Sequence, residues 1–524
     1  MEIEQITIKE LIKKKVKTSE ELAKIKRETS KQLKVPCFSN VQLIQAYHKL
    51  LKEKRIKRQK NLEKVLRKRP VRTLSGVAVV SVLTKPYPCP GKCIFCPTEK
   101  GLPKSYLRGE PAAERALKLN FDPYLQVKKR IESLEKQGHP TDKIELRVIG
   151  ATFSSYPKDY KIWFFANLFS AANERKGIKK TDIKIFEKEK KINEKTKNRI
   201  VGISIETRPD FINEKEVLLM RRLGITMVEL GVQTVREKIL KKSNRGHGLK
   251  EIISATKLLK DTGFKIMYQM MPNLPGSNLK QDFWAFKEII NNENYKPDWL
   301  KIYPCLVCKG SKLYEIWKKG NYKPYSDKDL IELLIKVKTA LPRWIRLARL
   351  FRDIPAQKIE AGSKISNLRE VIQKEMEKRN LNCNCIRCRE IKENFDPNEK
   401  AFLFREDYKA SKGKEIFLSF ENKIRTKLFA FLRLRLSKNN FISVLNNSSI
   451  VRELHTYGQQ TPLEEKSLAI QHKGLGKKLI KEAEKITKKE FKLLKIAVIS
   501  GIGAREYYKK LGYKLDGEYM TKKL

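Results

Sequence analysis

The chain has 524 residues, too many for one hydrophobic core, and its 40% hydrophobic content suffices for ordinary globular domains. No apolar run approaches the length of a membrane span, and Met1-Glu2-Ile3-Glu4 lacks the pattern of a secretory leader, so a cytoplasmic protein without a membrane partner is expected. Lysine and arginine number 114 against 60 acidic residues, a net charge of +54 that points to a polyanionic partner, nucleic acid first, with a proteome-wide lysine bias as the plain alternative for part of it.

Residues 1–75 read as short basic helices. Thr18 to Glu21 and Ser39 to Gln42 fit capping boxes at two helix starts. Between Leu51 and Arg72 eleven Lys or Arg face two Glu, too dense a run to pair internally, so a nucleic-acid surface is favoured over a merely solvated helix face. Over 76–362, strand-like runs at Val77–Leu83, Ile144–Ile149, Ile200–Ile205, Met227–Val232, Lys265–Met271 and Trp299–Pro304 alternate with helical periodicity, as at Glu216–Leu223 and Leu249–Leu259. Six such units predict an α/β domain with a parallel sheet, closed or partly closed as a (β/α)6 barrel, whose chemistry sits at the C-terminal strand ends. A Cys-rich linker at 363–395 follows. The remaining 396–524 predict a second α/β domain with an antiparallel start, strands at Glu415–Glu421 and Lys427–Leu436, and strand–loop–helix units at 449–487 and 494–511.

The nine cysteines are clustered, an odd count that argues for metal ligation in a reducing compartment. Cys89, Cys93 and Cys96 follow the first strand in Pro88-Cys89-Pro90-Gly91-Lys92-Cys93-Ile94-Phe95-Cys96-Pro97. Three thiolates on one loop can hold three irons of a 4Fe–4S cubane and leave the fourth open to chelate the amino and carboxylate groups of S-adenosylmethionine (SAM). Zinc is the alternative, but no fourth Cys or His lies nearby. The spacing, with Phe95 before the last Cys, resembles the radical SAM superfamily. That resemblance implies a SAM-derived radical. Where the superfamily often has Gly-Gly-Glu after the second strand, this chain has Gly150-Ala151-Thr152. Glu206, Arg208 and Gln233 fall where SAM contacts are expected, or are ordinary barrel-end polar residues.

Near the C-terminus, Gln471-His472-Lys473-Gly474-Leu475-Gly476-Lys477 opens a helix, and glycines at a helix start expose backbone N–H groups that bind phosphate. With the strand Glu453-Leu454-His455-Thr456 before it and Tyr507-Tyr508 after, the order resembles the GNAT acetyltransferases. The resemblance implies acetyl-CoA as cofactor. Glu453, Leu454, His455 and Thr456 would pair with pantetheine, Gly474, Leu475, Gly476 and Lys477 would hold the diphosphate, and Tyr508 would lie near the thiolate leaving group. Helix packing is the alternative for one of the two tyrosines.

A radical SAM barrel joined to a GNAT domain is similar, across nearly the whole chain, to the Elongator catalytic-subunit family of tRNA uridine acetyltransferases. The stretches that carry the similarity are Pro86–Pro97, Gly150–Tyr160, Arg387–Glu390, Arg452–Gly458, Gln471–Gly476 and Ser500–Asp516. Many members have one more residue between the first two cluster cysteines; the spacing here is the commoner superfamily one. The resemblance places an acetyl-CoA-contacting lysine at Lys158 and a zinc-binding linker at Cys383, Cys385 and Cys388. It implies tRNA, through its anticodon stem-loop, as substrate. The radical would take a hydrogen from the acetyl methyl group, the carbon radical would add to carbon-5 of the wobble uridine, and thioester hydrolysis would leave a carboxymethyl group. An electron donor is then required, and homo-oligomerisation is left open. Cys305 and Cys308 either pack in the barrel or donate the missing zinc ligand, and Cys37 is expected to pack as a small hydrophobe. The rival reading is a protein lysine acetyltransferase with a structural cluster.

Overall fold

A computed structural model describes residues 2–67, 73, 76–391, 399–436, 440–458 and 474–524. The chain begins with four helices, α1 (Glu2–Lys13), α2 (Ser19–Gln32), α3 (Asn40–Lys52) and α4 (Lys60–Leu66). Both expected capping boxes form: Thr18 and Ser39 cap α2 and α3, with Glu21 and Gln42 reaching back. These helices bury their own small core around Leu43, Tyr47 and Leu50, separate from the main one. They seat on the barrel where Arg67 donates to the Gly138 carbonyl at 2.9 Å.

The first sheet has seven strands, β1 (Ala78–Leu83), β2 (Lys143–Ile149), β3 (Arg199–Thr207), β4 (Met227–Gln233), β5 (Lys265–Met270), β6 (Trp299–Ile302) and β7 (Arg346–Arg349), in sequential order. All neighbours are parallel, and helices cross between them. Order and pairing are those of a half-barrel, with one strand more than the six expected. The extra strand is four residues long and carries arginine at both ends, so neither length nor apolarity marks it.

The second sheet also has seven strands, ordered β13-β14-β12-β11-β10-β9-β8. They are β8 (Phe402–Ala410), β9 (Gly413–Glu421), β10 (Leu428–Leu436), β11 (Ser448–Thr456), β12 (Lys495–Val498), β13 (Lys514–Asp516) and β14 (Tyr519–Lys523). The antiparallel start is as expected, and β8, absent from the sequence reading, extends it. One register shift sits where Arg433 faces Glu453 and Leu434 faces Val451. Beside it, β12 is paired along its whole length, from Ser448↔Lys495 to Val451↔Val498, and β11 runs on past its end, so Arg452–Thr456 have no β12 partner.

The second sheet docks on the floor of the half-barrel, where its strands begin. A Cβ on Gly501 would lie 2.1 Å from the Val201 carbonyl oxygen, and one on Gly503 would lie 2.6 Å from Arg199 Cβ, so bare backbone is needed there. Beside this contact runs a buried ion network. Arg452 binds Asp298 and Glu415, Arg435 binds Glu415 and Asp261, and Lys260 lies 3.6 Å from both Asp298 and Glu415. Asp298, Glu415, Lys260, Arg433, Arg435 and Arg452 all have fully buried side chains. Charges so deep are tolerated only when paired, and here each has an opposite charge within 4 Å.

Candidate functional site

At the C-terminal strand ends, the loop after β1 carries Cys89, Cys93 and Cys96. Arg245 donates to Cys93 Sγ at 3.1 Å, and the hydrogen bond from Cys96 together with that guanidinium favours the Cys93 thiolate, pushing the Cys96 thiol up in turn. Cys89 Sγ lies 3.7 Å from Thr152 Oγ1, in the segment that replaces the superfamily's Gly-Gly-Glu. Arg208 grips Asp210 at 2.8 Å and wedges against Gly91, whose Cβ would fall 2.4 Å from Nη1.

Around this loop, buried polar atoms have no hydrogen-bond partner among the described residues: Arg208 Nη1, Arg245 Nε, Gln233 Oε1, Ser243 Oγ and both ring nitrogens of His247. Gln233 sits at φ 70°, in the left-handed region, a strain that side-chain residues adopt only where surroundings impose it. Burial, with Arg245 beside it, lowers His247 to about 4, so the ring is neutral. Buried polar groups normally have partners, and a cluster of unpartnered ones beside three thiols fits a cofactor with charged groups of its own. A cavity of about 610 Å³ opens beside Cys96, lined by Glu206, Gln233, Arg245, Lys301 and Arg352. Its Glu206 accepts from Tyr106 at 2.7 Å and Gln269 at 3.2 Å, and burial raises its pKa despite the opposing charge of Lys301.

On the second sheet, Gly474 at φ 67° opens the helix Leu475–Lys485, and among the described residues no side chain caps its first N–H groups. A Cβ on Gly476 would meet Tyr507 Oη at 3.1 Å, Thr456 Oγ1 at 3.5 Å and Leu454 Cδ2 at 3.9 Å. The structure thus gathers the helix start, two of the four β11 residues and a tyrosine along one edge. That tyrosine is Tyr507. Tyr508 is buried at 6% exposure in edge-on contact with Tyr507 and Tyr513, and burial raises its pKa. Lys477 is exposed in the first helical turn, while Gln471, His472 and Lys473 lie outside the described residues. The Glu453 side chain lies towards the barrel, 4.0 Å from Lys265 on β5, and pairs with Arg433 at 2.9 Å, while His455 packs 4.4 Å from the Tyr457 ring.

Lys158 is exposed at the start of the helix Lys158–Ala172, which follows β2 at the cysteine end of the barrel. It therefore lies at the opposite end of the strands from the sheet that carries Gly476. Cys383, Cys385 and Cys388 bring their sulfurs within 4.8 Å of one another. A tetrahedral zinc with Zn–S bonds of about 2.3 Å would set sulfurs about 3.8 Å apart, so small shifts suffice for a single ion. Cys89, Cys93 and Cys96 form no such tight trio, and neither Cys305 nor Cys308 joins the linker trio among the described residues. Cys305 and Cys308 are buried, Cys308 on the cavity wall, whereas Cys37 is exposed rather than packed. Arg245 was missed by sequence reasoning, although the run Arg245-Gly246-His247-Gly248 was a visible signal; Tyr507 was in view beside Tyr508.

A parallel half-barrel with three cysteines on the loop after its first strand, ringed by unpartnered polar groups, defines a radical SAM domain. Residues 87–288 match the radical SAM superfamily, and residues 297–378 match the radical SAM C-terminal domain. A tRNA uridine(34) acetyltransferase of Methanocaldococcus jannaschii is 50% identical over 475 residues, covering 88% of this chain and 87% of that protein. Elongator complex protein 3 of Homo sapiens is 40% identical over 481 residues, covering 88% and 86%. The solved structure of archaeal Methanocaldococcus infernus Elp3 with an N-terminal deletion superposes with a TM-score of 0.75 at 46% identity, over 86% of this chain and all of that one. The chain belongs to the family of tRNA uridine(34) acetyltransferases that includes Elongator complex protein 3.

Proposed function

We propose that the chain is a radical SAM acyltransferase that modifies carbon-5 of the wobble uridine of tRNA with a carboxymethyl group derived from acetyl-CoA. The observation that carries this reading is the joining of a cysteine loop and a glycine-opened helix start to opposite ends of one half-barrel. Cys89, Cys93 and Cys96 would hold a 4Fe–4S cluster that, with SAM, supplies hydrogen-atom abstraction from an unactivated carbon. Glu206, Arg208 and Gln233 line or abut the cavity beside them, and Arg208 and Gln233 bring unpartnered atoms that a SAM carboxylate and amino group would satisfy.

On the second sheet, the free N–H groups at Gly474, Leu475, Gly476 and Lys477 would take the CoA diphosphate, with Leu454 and Thr456 flanking it. Tyr507 lies nearer this edge than Tyr508 and is the better candidate beside the thioester sulfur. Lys158, at the cysteine end of the barrel, would contact the acyl end of acetyl-CoA rather than its diphosphate. Cys383, Cys385 and Cys388 would hold zinc, with a fourth ligand from outside the trio. The basic helical segment 1–75 would grip tRNA phosphates, 76–362 form the radical domain, 363–395 the metal linker and 396–524 the acetyl-CoA domain. Uracil carbon-5 is too weakly basic for ordinary acyl transfer, so joining an acyl donor to a radical site makes chemical sense.

Mass spectrometry of tRNA nucleosides after anaerobic reaction with SAM, acetyl-CoA and reductant tests the reading. A carbon-5 carboxymethyl uridine that needs all three additions is expected. Acetyl-lysine on a protein, with no altered uridine, would replace it by the lysine-acetylation reading.

A further inference from the structure

The two ends of the proposed reaction lie apart. The cysteine loop follows the C-terminal ends of strands whose N-terminal ends carry the second sheet, and six or seven residues of strand span about 20 Å. Something must bring the acyl group across that length.

The lumen of the half-barrel has an unusual lining. Barrel interiors are normally filled by branched apolar side chains, layer upon layer. Here inward positions carry Glu145 and Arg147 on β2, Glu229 on β4, Lys265 on β5 and Lys301 on β6. Arg147 pairs with Glu145 at 2.9 Å, and Lys301 pairs with Glu229. Arg147 and Lys301 form part of the wall of the cavity that opens beside Cys96. Inside the barrel, Glu145, Arg147 and Lys265 still keep side-chain exposures of 24%, 19% and 20%, so water reaches them. Charges in a dry core carry a heavy desolvation cost; in a wet passage they do not.

The floor of this lumen meets the stretch of β11 that runs on past the end of β12. Lys265 Nζ stands 4.0 Å from Glu453 in that stretch. Gly501 and Gly503, just past β12, lie against Val201 and Arg199 at the start of β3. The space alongside β11 beyond the end of β12 therefore opens towards the barrel interior.

We propose that the half-barrel lumen is an internal passage for the acyl end of a CoA thioester, entering alongside β11 beyond the end of β12, past Glu453 and Lys265, and leading along Arg147 and Lys301 to the cavity beside Cys96. This rests on the reading above that acetyl-CoA sits on the second sheet. The charged lining keeps the passage hydrated and offers donors to a thioester carbonyl, while the walls shield the reacting methyl group from bulk solvent.

Gly202 is the place to plug it. It lies on β3 in register with Glu145, and a Cβ there would meet Glu145 Cγ and Thr226 Oγ1 both at 3.8 Å, ordinary contacts. In full-length, reconstituted Gly202→Leu enzyme, 5′-deoxyadenosine release from SAM and calorimetric acetyl-CoA binding should match wild type. Modified uridine should fall at least about 100-fold, as when reacting groups are held out of place. As a second measurement needing no cluster, Lys265→Cys is labelled with a small methanethiosulfonate reagent and followed at peptide 265 by mass spectrometry. Acetyl-CoA at ten times its Kd should slow that labelling about tenfold. Wild-type levels of modified uridine in Gly202→Leu, or labelling at 265 indifferent to acetyl-CoA, overturns the passage. Should Gly202→Leu lose its half-reactions too, or wild type make no modified uridine, the labelling alone decides; the second case sinks the functional reading without touching the route.

Discussion

Two buried polar regions of this molecule differ in how they are satisfied. Under the second sheet, Asp298, Glu415, Arg435 and Arg452 form a closed network of paired charges. Around the cysteine loop, Arg208, Arg245, Gln233 and His247 leave donors and acceptors open. Both sets are buried and both contain arginine, so neither burial nor residue type separates them. The difference is charge pairing. In the first region Lys260 Nζ, Arg433 Nη1 and Arg452 Nε also lack hydrogen bonds, yet each belongs to an ion with a carboxylate within 4 Å; around the loop the open atoms include those of the neutral Gln233 and His247, which no ion pair compensates. Charges that close on one another hold a structure together; neutral donors and acceptors left open fit a partner that the protein does not supply.

That contrast can be broken first at the cysteines. Cys93→Ala should abolish iron content and 5′-deoxyadenosine formation while leaving the thermal melt near that of wild type, because no closed network passes through it. Anaerobic SAM cleavage at the wild-type rate would defeat the assignment. The closed network should behave in the opposite way. Asp298→Ala takes one of two carboxylates from Arg452 and Lys260, leaving Glu415 to face both buried cations, and should cost about 3–5 kcal/mol, read as a lower urea midpoint. A midpoint shift within error would mean that the network is not holding the sheet to the barrel.

Arg208→Gln sharpens the comparison on the open side. It should raise the SAM KM about 10- to 100-fold, the worth of a charge-assisted hydrogen bond, with little change in the melt. An unchanged KM with a lowered melting temperature would move Arg208 into the structural class.

Acid gives a further reading. Burial, helped by Arg346, lowers His455 to about 4 in the folded protein, so the unfolded chain binds a proton below about pH 6.5 that the folded one refuses. Its contribution is whole above that pH and is lost as pH falls towards 4, on the order of 2–3 kcal/mol. His455→Gln should flatten the fall in urea midpoint between pH 7 and 5; an unaltered slope would assign the acid sensitivity elsewhere. The smallest effect is expected at the basic helices. Arg58 is tied to Glu63 by two hydrogen bonds of 3.0 Å, so Lys52→Glu with Lys57→Glu is the cleaner pair. This variant should weaken binding of all tRNAs alike and make the salt slope shallower by about 2. A loss confined to one tRNA would indicate base readout instead.

Much of this was legible in the residues. The cysteine loop, six of the barrel strands, both capping boxes and the glycine-opened helix all carry local signals, in spacing, periodicity or turn chemistry. What escaped depends on distant parts of the chain. β7 is too short and charged to show a strand's pattern. Asp298 and Arg452 look like any surface charges until 154 positions of chain are folded between them. Which of Tyr507 and Tyr508 stands against Gly476 turns on the side that one helical turn presents, a matter of a single residue's rotation. Lys158 reads as part of an acetyl-CoA site by resemblance alone, since it is one exposed lysine at the start of the helix that follows β2.

The bare-backbone contact at Gly501 and Gly503 has a consequence for how the protein comes apart. Val201 and Arg199 belong to the third barrel strand, so the second sheet is keyed into the middle of the first rather than hung from its edge. Lifting one away would open the barrel floor and uncover six ionised side chains at once. The barrel and its docked sheet are thus one cooperative unit: calorimetry should give them a shared peak, and neither half, expressed alone, has a reason to stay soluble.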